Sequence, residues 1–214
     1  MLISTRNNLC KYLLVCLLVV LCGCRQKPAD YPSIAPPITE FSVGDIAFRL
    51  GRSVQSGFIA SAGRGENSFS HIGVIVECDS TLMVAHIEPD NTRPDECILC
   101  ERIEDFFARD VAAAGCVKRL EGLDYVRGNA IARHALRLKG SGVVFDHDYL
   151  LSDTTAMYCT EFVEYIFLLE GIELSQSRRR TLPLVKESVV LPSDIAENEH
   201  LNDVWCFSYD LPAR

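Results

Sequence analysis

Two β-branched-rich runs, residues 71–77 (HIGVIVE) and 81–87 (TLMVAHI), stand only three residues apart across Cys78-Asp79-Ser80. A connection that short leaves an antiparallel hairpin as the one way to pair them. Further along, residues 124–138 carry apolar side chains at Val126, Ala130, Ile131 and Ala135, with Gly140 as a stop signal. Residues 158–169 repeat the helical pattern with Phe162, Val163, Ile166 and Phe167 on one face, ending at Gly171. Strands first and helices afterwards imply an α+β fold, an antiparallel sheet packed against helices. Upstream, residues 43–48 (VGDIAF) read as a turn, capped by Asp45, leading into a short buried strand. Residues 51–68 read as a Gly- and Ser-rich loop, and residues 181–214 are expected to add one or two strands.

The amino terminus reads as an address. Residues 1–24 are MLISTRNNLCKYLLVCLLVVLCGC, with Arg6 and Lys11 as a basic start and 13 uncharged residues after Lys11. A membrane span needs about 20 apolar residues, so a secretory signal fits better. The ending Leu21-Cys22-Gly23-Cys24 resembles the lipobox of bacterial lipoproteins, whose last cysteine is lipidated. The expectation is a signal peptide over 1–23, a lipidated Cys24 opening a Pro-rich tether over 24–40, and one domain over 41–214. Such a chain belongs in the bacterial cell envelope. Arg25 follows the cysteine where an Asp would hold some lipoproteins at the inner membrane, which favours the outer membrane.

Charge narrows the partners. The 214 residues hold 29 acidic and 21 basic side chains, a net charge of −8. A phosphate-backbone binder needs clustered Lys and Arg, so nucleic acid is excluded as a partner. Cys78, Cys97, Cys100, Cys116 and Cys206 are available for disulfides, with a pairing that spacing does not reveal.

Cys159 opens the second helical run. A thiol at a helix N-terminus feels the positive end of the macrodipole, which favours thiolate and so nucleophilicity. A thiol nucleophile needs a base, and the base an orienting group. His71 and His86 lie on the two strands of the expected hairpin and are the candidates.

The runs VGDIAF, SHIGVIV, MVAHIEP and FDHDYLLSDTTAMYCTEFVEYIF, in that order, resemble the NlpC/P60 papain-like superfamily in its circularly permuted form, nearest its YiiX/YebB-like branch. The match spans roughly residues 42–170. The resemblance implies a papain-like fold in which Cys159 of YCTEF is the nucleophile and His71 of SHIGV the general base. It puts His86 of VAHIEP in the third position, with Glu88, two residues along the same strand, as the alternative. Tyr158 would line the substrate cleft, and the loop bearing Asp146 and Asp148 would form one of its walls.

Other features read more plainly. The Asp146–Asp148–Asp153 loop lacks the ligand alternation of a calcium loop, and Cys97-x-x-Cys100 lacks a second zinc pair, so neither metal nor cofactor is expected. Arg178-Arg179-Arg180 reads as a solvated turn, Gly63-Arg64-Gly65 as part of a flexible loop, and His134 as a surface residue. The expected activity is that of a membrane-anchored cysteine amidase or peptidase. Its substrate would be a peptide, a peptidoglycan fragment or a lipid-like molecule. The alternatives are an acyltransferase and a non-catalytic lipid- or peptide-binding module on the same fold.

Overall fold

The computed structural model describes residues 33–63, 68–89, 97–149, 155–183 and 185–209. The expected signal peptide, Cys24 and the first part of the tether lie outside the described residues, as do Arg64, Gly65 and Asp153. The hairpin is present as β2 (His71–Cys78) and β3 (Thr81–Ile87). Asp79 and Ser80 turn it with φ of 50° and 60°. Two successive left-handed residues form the turn whose twist matches that of the strands, and Asp tolerates this conformation.

Around the hairpin lie β1 (Ile46–Gly51), β4 (Ile98–Arg102), β5 (Ala112–Leu120) and β8 (Leu201–Ser208). The sheet order is β4-β3-β2-β1-β5-β8, and every neighbouring pair is antiparallel. Two short strands, β6 (Val144–Phe145) and β7 (Ala156–Met157), pair in parallel beside it. The helices are α1 (Val54–Ala62), α2 (Ile103–Phe106), α3 (Tyr125–Lys139), α4 (Cys159–Leu168) and α5 (Pro192–Ala196). Antiparallel sheet plus helices is the α+β arrangement that the order of blocks implied. No helix among the described residues is long and apolar enough to cross a membrane.

Alternation along the strands gives the sheet two apolar faces. Ile46, Phe48, Ile72, Val74 and Val76 meet Ile131 and Ala135 of α3 and Phe162, Val163, Ile166 and Phe167 of α4 in the larger core. Burying each large apolar side chain contributes about 1.5–3 kcal/mol, which is why these faces decide where the helices sit. Ala47, Ile75, Val84 and Val117 point the other way, against Phe41, Ile103, Phe106 and Phe107. Asp124 caps α3 by accepting from the Arg127 N–H at 2.8 Å. The entry turn is pressed onto α3: Gly44 has φ +93°, and a Cβ there would sit 2.9 Å from Gly128 Cα. Asp45 caps this turn, accepting from the Ser42 N–H at 2.7 Å, and also pairs with Arg119 at 2.7 Å.

Several features differ from the sequence reading. The Gly- and Ser-rich loop contains α1, because Ser53 caps it by accepting from the Ser56 N–H. Residues 33–40, expected to be tether, dock on the domain: the Ile34 N–H donates to the Tyr209 hydroxyl at 3.0 Å, and Arg119 reaches the Glu40 carbonyl at 2.9 Å. His134 is not a free surface residue, since Nε2 lies 2.7 Å from Glu170 Oε1. Arg180 of the expected solvated turn bonds the buried Asp194 at 2.6 Å through Nε. Cys116 and Cys206, 90 residues apart, form a disulfide between β5 and β8, while Cys78, Cys97, Cys100 and Cys159 are not in disulfides.

Candidate active site

Strand register assembles a polar cluster at one end of β1, β2 and β3. His71 is the first residue of β2 and pairs across with Arg49 of β1. His86 lies on β3 one step beyond the Val74–Ala85 pair. Opposite it Gly73 has no side chain; a Cβ there would come within 3.0 Å of His86 Cβ. The two imidazoles meet edge-on at 87°, with His71 Nε2 and His86 Nδ1 2.9 Å apart. Glu88, two residues beyond His86, shares its face and brings Oε1 to 3.3 Å from His71 Nε2. Both histidines are buried.

Two members of this cluster are not in the sequence motifs. Arg49 bonds the Glu88 carboxylate, donates to the Phe106 carbonyl at 3.2 Å, and stacks 4.5 Å above the Phe106 ring. Glu101 of β4 places Oε1 2.9 Å from His86 Nε2, off the line of a good hydrogen bond, and 3.4 Å from Arg49 Nη1. A charged residue in the middle of the apolar β1 run was the available signal for Arg49. Glu101 had none, because only the β3–β4 register brings it near His86.

Cys159 is the first residue of α4, with Tyr158 as N-cap. Its sulfur lies 3.8 Å from the Thr160 hydroxyl and takes backbone contacts from Thr160 and from Ile72, the residue after His71. Cys159, His71, Glu88 and Arg49 line one cavity of about 630 Å³. Its remaining wall is largely apolar, built from Phe58, Val111, Leu182, Val185 and Val189 among others. Tyr158 lines it too, and its hydroxyl accepts from the Val190 N–H at 3.1 Å, holding the wall segment in place. Asp146 and Asp148 are not among the lining residues; that loop contributes Phe145 and Tyr149 instead. Asp146 acts one layer back, accepting from the N–H groups of Asp148 at 2.7 Å and Tyr149 at 2.9 Å, which sets the turn that presents the tyrosine.

Electrostatics here are governed by burial. It pushes the Cys159 thiol up to about 11, against the hydrogen bonds from Thr160 and Ile72 that pull it back. Burial thus opposes the ionisation that the helix dipole favours. Burial first, then the charges of Arg49 and His86, hold His71 well below the ordinary 6.5. Burial opposes ionisation of Glu101, but His86 and Arg49 outweigh it and keep its carboxyl low. At neutral pH the site pairs a neutral thiol with a neutral imidazole.

His71, His86 and Glu88 each offer a ligand atom within 4.8 Å of the others, donor types that suit a divalent cation. With the Arg49 guanidinium seated on Glu88 and the two rings hydrogen-bonded to each other, this arrangement does not fit one.

No protein-family model and no curated protein matches the chain. Among solved structures, the metalloprotein YiiX from Escherichia coli O157:H7 (DUF1105) is similar with a TM-score of 0.63 at 20% identity. The likeness covers 77% of this chain and 96% of that one. The chain shares the fold of YiiX. At this identity the likeness carries the architecture and leaves the chemistry to be argued from the site.

Proposed function

We propose that the chain is a cysteine hydrolase of the permuted papain-like type, cleaving an amide or related acyl bond. The observation that carries the reading is one cavity lined by both a helix-opening thiol and a histidine that is itself backed by a second histidine. Cys159 is the nucleophile, His71 the base, and His86 a positioning residue. His86 Nδ1, 2.9 Å from His71 Nε2, holds that nitrogen of the ring, which leaves His71 Nδ1 for the reacting proton. Glu88, itself paired with Arg49, approaches the same His71 Nε2 at 3.3 Å.

In the first step the sulfur bonds to the substrate carbonyl carbon, and the thiol proton passes to His71. Oxyanion charge develops beside the Cys159 N–H at the open start of α4. His71 then hands its proton to the leaving nitrogen or oxygen, and the carbon–leaving-group bond breaks. Water, deprotonated by His71, releases the acyl group as a carboxylic acid and restores the thiol. An acceptor other than water makes the same site an acyltransferase. The apolar wall favours a lipid-linked acyl group over a peptidoglycan stem peptide.

YiiX is described as a metalloprotein, whereas in this chain the Arg49–Glu88 pair and the His71–His86 hydrogen bond engage the ligand atoms a cation would need. We place the protein in the bacterial cell envelope, held by lipid on Cys24. Mass spectrometry of acid-quenched protein after exposure to acyl p-nitrophenyl esters tests the mechanism. A single acyl adduct on Cys159 supports it; an adduct elsewhere, or turnover undiminished in Cys159→Ala, removes this cysteine from the chemistry.

A further inference from the structure

The mouth of the cavity is apolar on its outside as well. Of the eight large hydrophobic side chains exposed among the described residues, three lie on segments that line the cavity, Val54 at 94%, Phe58 at 60% and Val111 at 39%, and Ile34 at 38% follows Ser33, which the Arg109 N–H reaches. Phe58 and Val111 also line the cavity. α1 holds no charged residue (VQSGFIASA), and Val54 and Phe58, four positions apart, share its outer side while Ala60 is buried. A helix that only covered the core would turn polar groups outward, so this face is built to meet something apolar.

The path of the backbone says what. The Arg109 N–H donates to Ser33 Oγ at 3.3 Å, the Arg109 carbonyl accepts from Arg52 Nε at 2.6 Å, and the Arg52 N–H donates to the Val111 carbonyl at 3.2 Å. The first described residue thus lies against the rim of the cavity. A lipid on Cys24 is joined to Ser33 by residues 25–32, a stretch that spans at most about 30 Å. The anchor therefore draws the rim side toward the bilayer.

We infer that the outer face of α1, with Val111 and Ile34, is a docking surface for a lipid bilayer, so that the cavity opens into the interface and takes its acyl chain from there. The inference rests on the proposed lipid anchor for the bilayer and on the hydrolase reading for the identity of what enters the cavity, but its test involves no turnover. Each insertion would be shallow, about 5–10 Å into the headgroup–acyl boundary.

The test places a fluorescent reporter on Val54, which does not line the cavity. The lipidated full-length protein carrying Val54→Trp is reconstituted into phosphatidylethanolamine–phosphatidylglycerol vesicles with brominated acyl chains. Its emission is compared with that of the wild type, whose Trp205 is the background, and of Tyr125→Trp, a 79% exposed position on α3. The expected result is a blue shift and bromine quenching for Val54→Trp beyond background, with Tyr125→Trp at background. Quenching absent at position 54, or equal at both positions, overturns the docking surface. Loss of quenching with hydrolysis intact removes the surface alone. Quenching in a protein with no hydrolase activity leaves the surface standing and removes the hydrolase reading.

Discussion

The two halves of the site are built by opposite means. On the sheet side, register crowds His71, His86, Glu88, Glu101 and Arg49 together, and each polar group touches at least one other. On the helix side, Cys159 stands with little more than Thr160 and the Ile72 backbone around its sulfur. His71 is therefore held by redundancy and Cys159 by burial. Loss of any one sheet-side group leaves others to orient His71, whereas nothing substitutes for the thiol.

Replacements should follow that asymmetry. Cys159→Ala is expected to lower turnover on the order of 10⁶-fold, as when one member of a unit-acting set is lost, with a stability change of only about 1 kcal/mol. Steady-state kinetics and thermal unfolding check both halves; residual activity above a few per cent of wild type breaks the comparison. His71→Ala should cost about 10²–10⁴-fold in kcat, the usual contribution of a general base. His86→Ala should cost less, and Glu88→Gln and Glu101→Gln less again, because each leaves the other carboxylate in place. A Glu88→Gln loss larger than that of His86→Ala moves the positioning role to Glu88.

The pH behaviour separates the halves directly. With the thiol pushed up to about 11, Cys159 alkylation by iodoacetamide should climb steadily through pH 8–10 and show no plateau near pH 6. An early plateau would reveal a standing thiolate–imidazolium pair. On the sheet side, the depressed pKa of His71 means that the unfolded chain takes up a proton which the folded one refuses. Its stability contribution is present above the ordinary 6.5 and declines as pH falls below it. Urea unfolding at pH 8 and pH 5 should show this decline in the wild type and a smaller one in His71→Gln. The disulfide lies apart from both halves. The double replacement Cys116→Ser and Cys206→Ser should lower stability by about 2–4 kcal/mol while leaving kcat near wild type.

Local pattern made much of this legible. Period-2 and period-3.6 runs located the hairpin, α3 and α4, and the two-residue spacing put His86 and Glu88 on one face. What stayed hidden depends on pairing between distant segments. Glu101 joins His86 only through the β3–β4 register, Arg49 joins His71 only through β1–β2, and Cys116 finds Cys206 across 90 residues. α1 was hidden differently: its Ser and Gly content mimics a loop, and only the Ser53 cap betrays a helix. The motif loop was read as cleft wall at Asp146 and Asp148, whereas its neighbours Phe145 and Tyr149 are the residues that face the cavity.

The buried thiol has one more consequence, which concerns endurance. By pushing ionisation up, burial favours the Cys159 thiol over the thiolate. Thiolate is the species that peroxide oxidises and that attacks stray disulfides. In the cell envelope proposed for this chain, the described cysteines outside the Cys116–Cys206 disulfide would meet both hazards. If Cys159 is the nucleophile proposed, a thiol that ionises only as a substrate carbonyl arrives would stay reduced between turnovers, and slow resting reactivity and long service life would come from the same apolar surroundings.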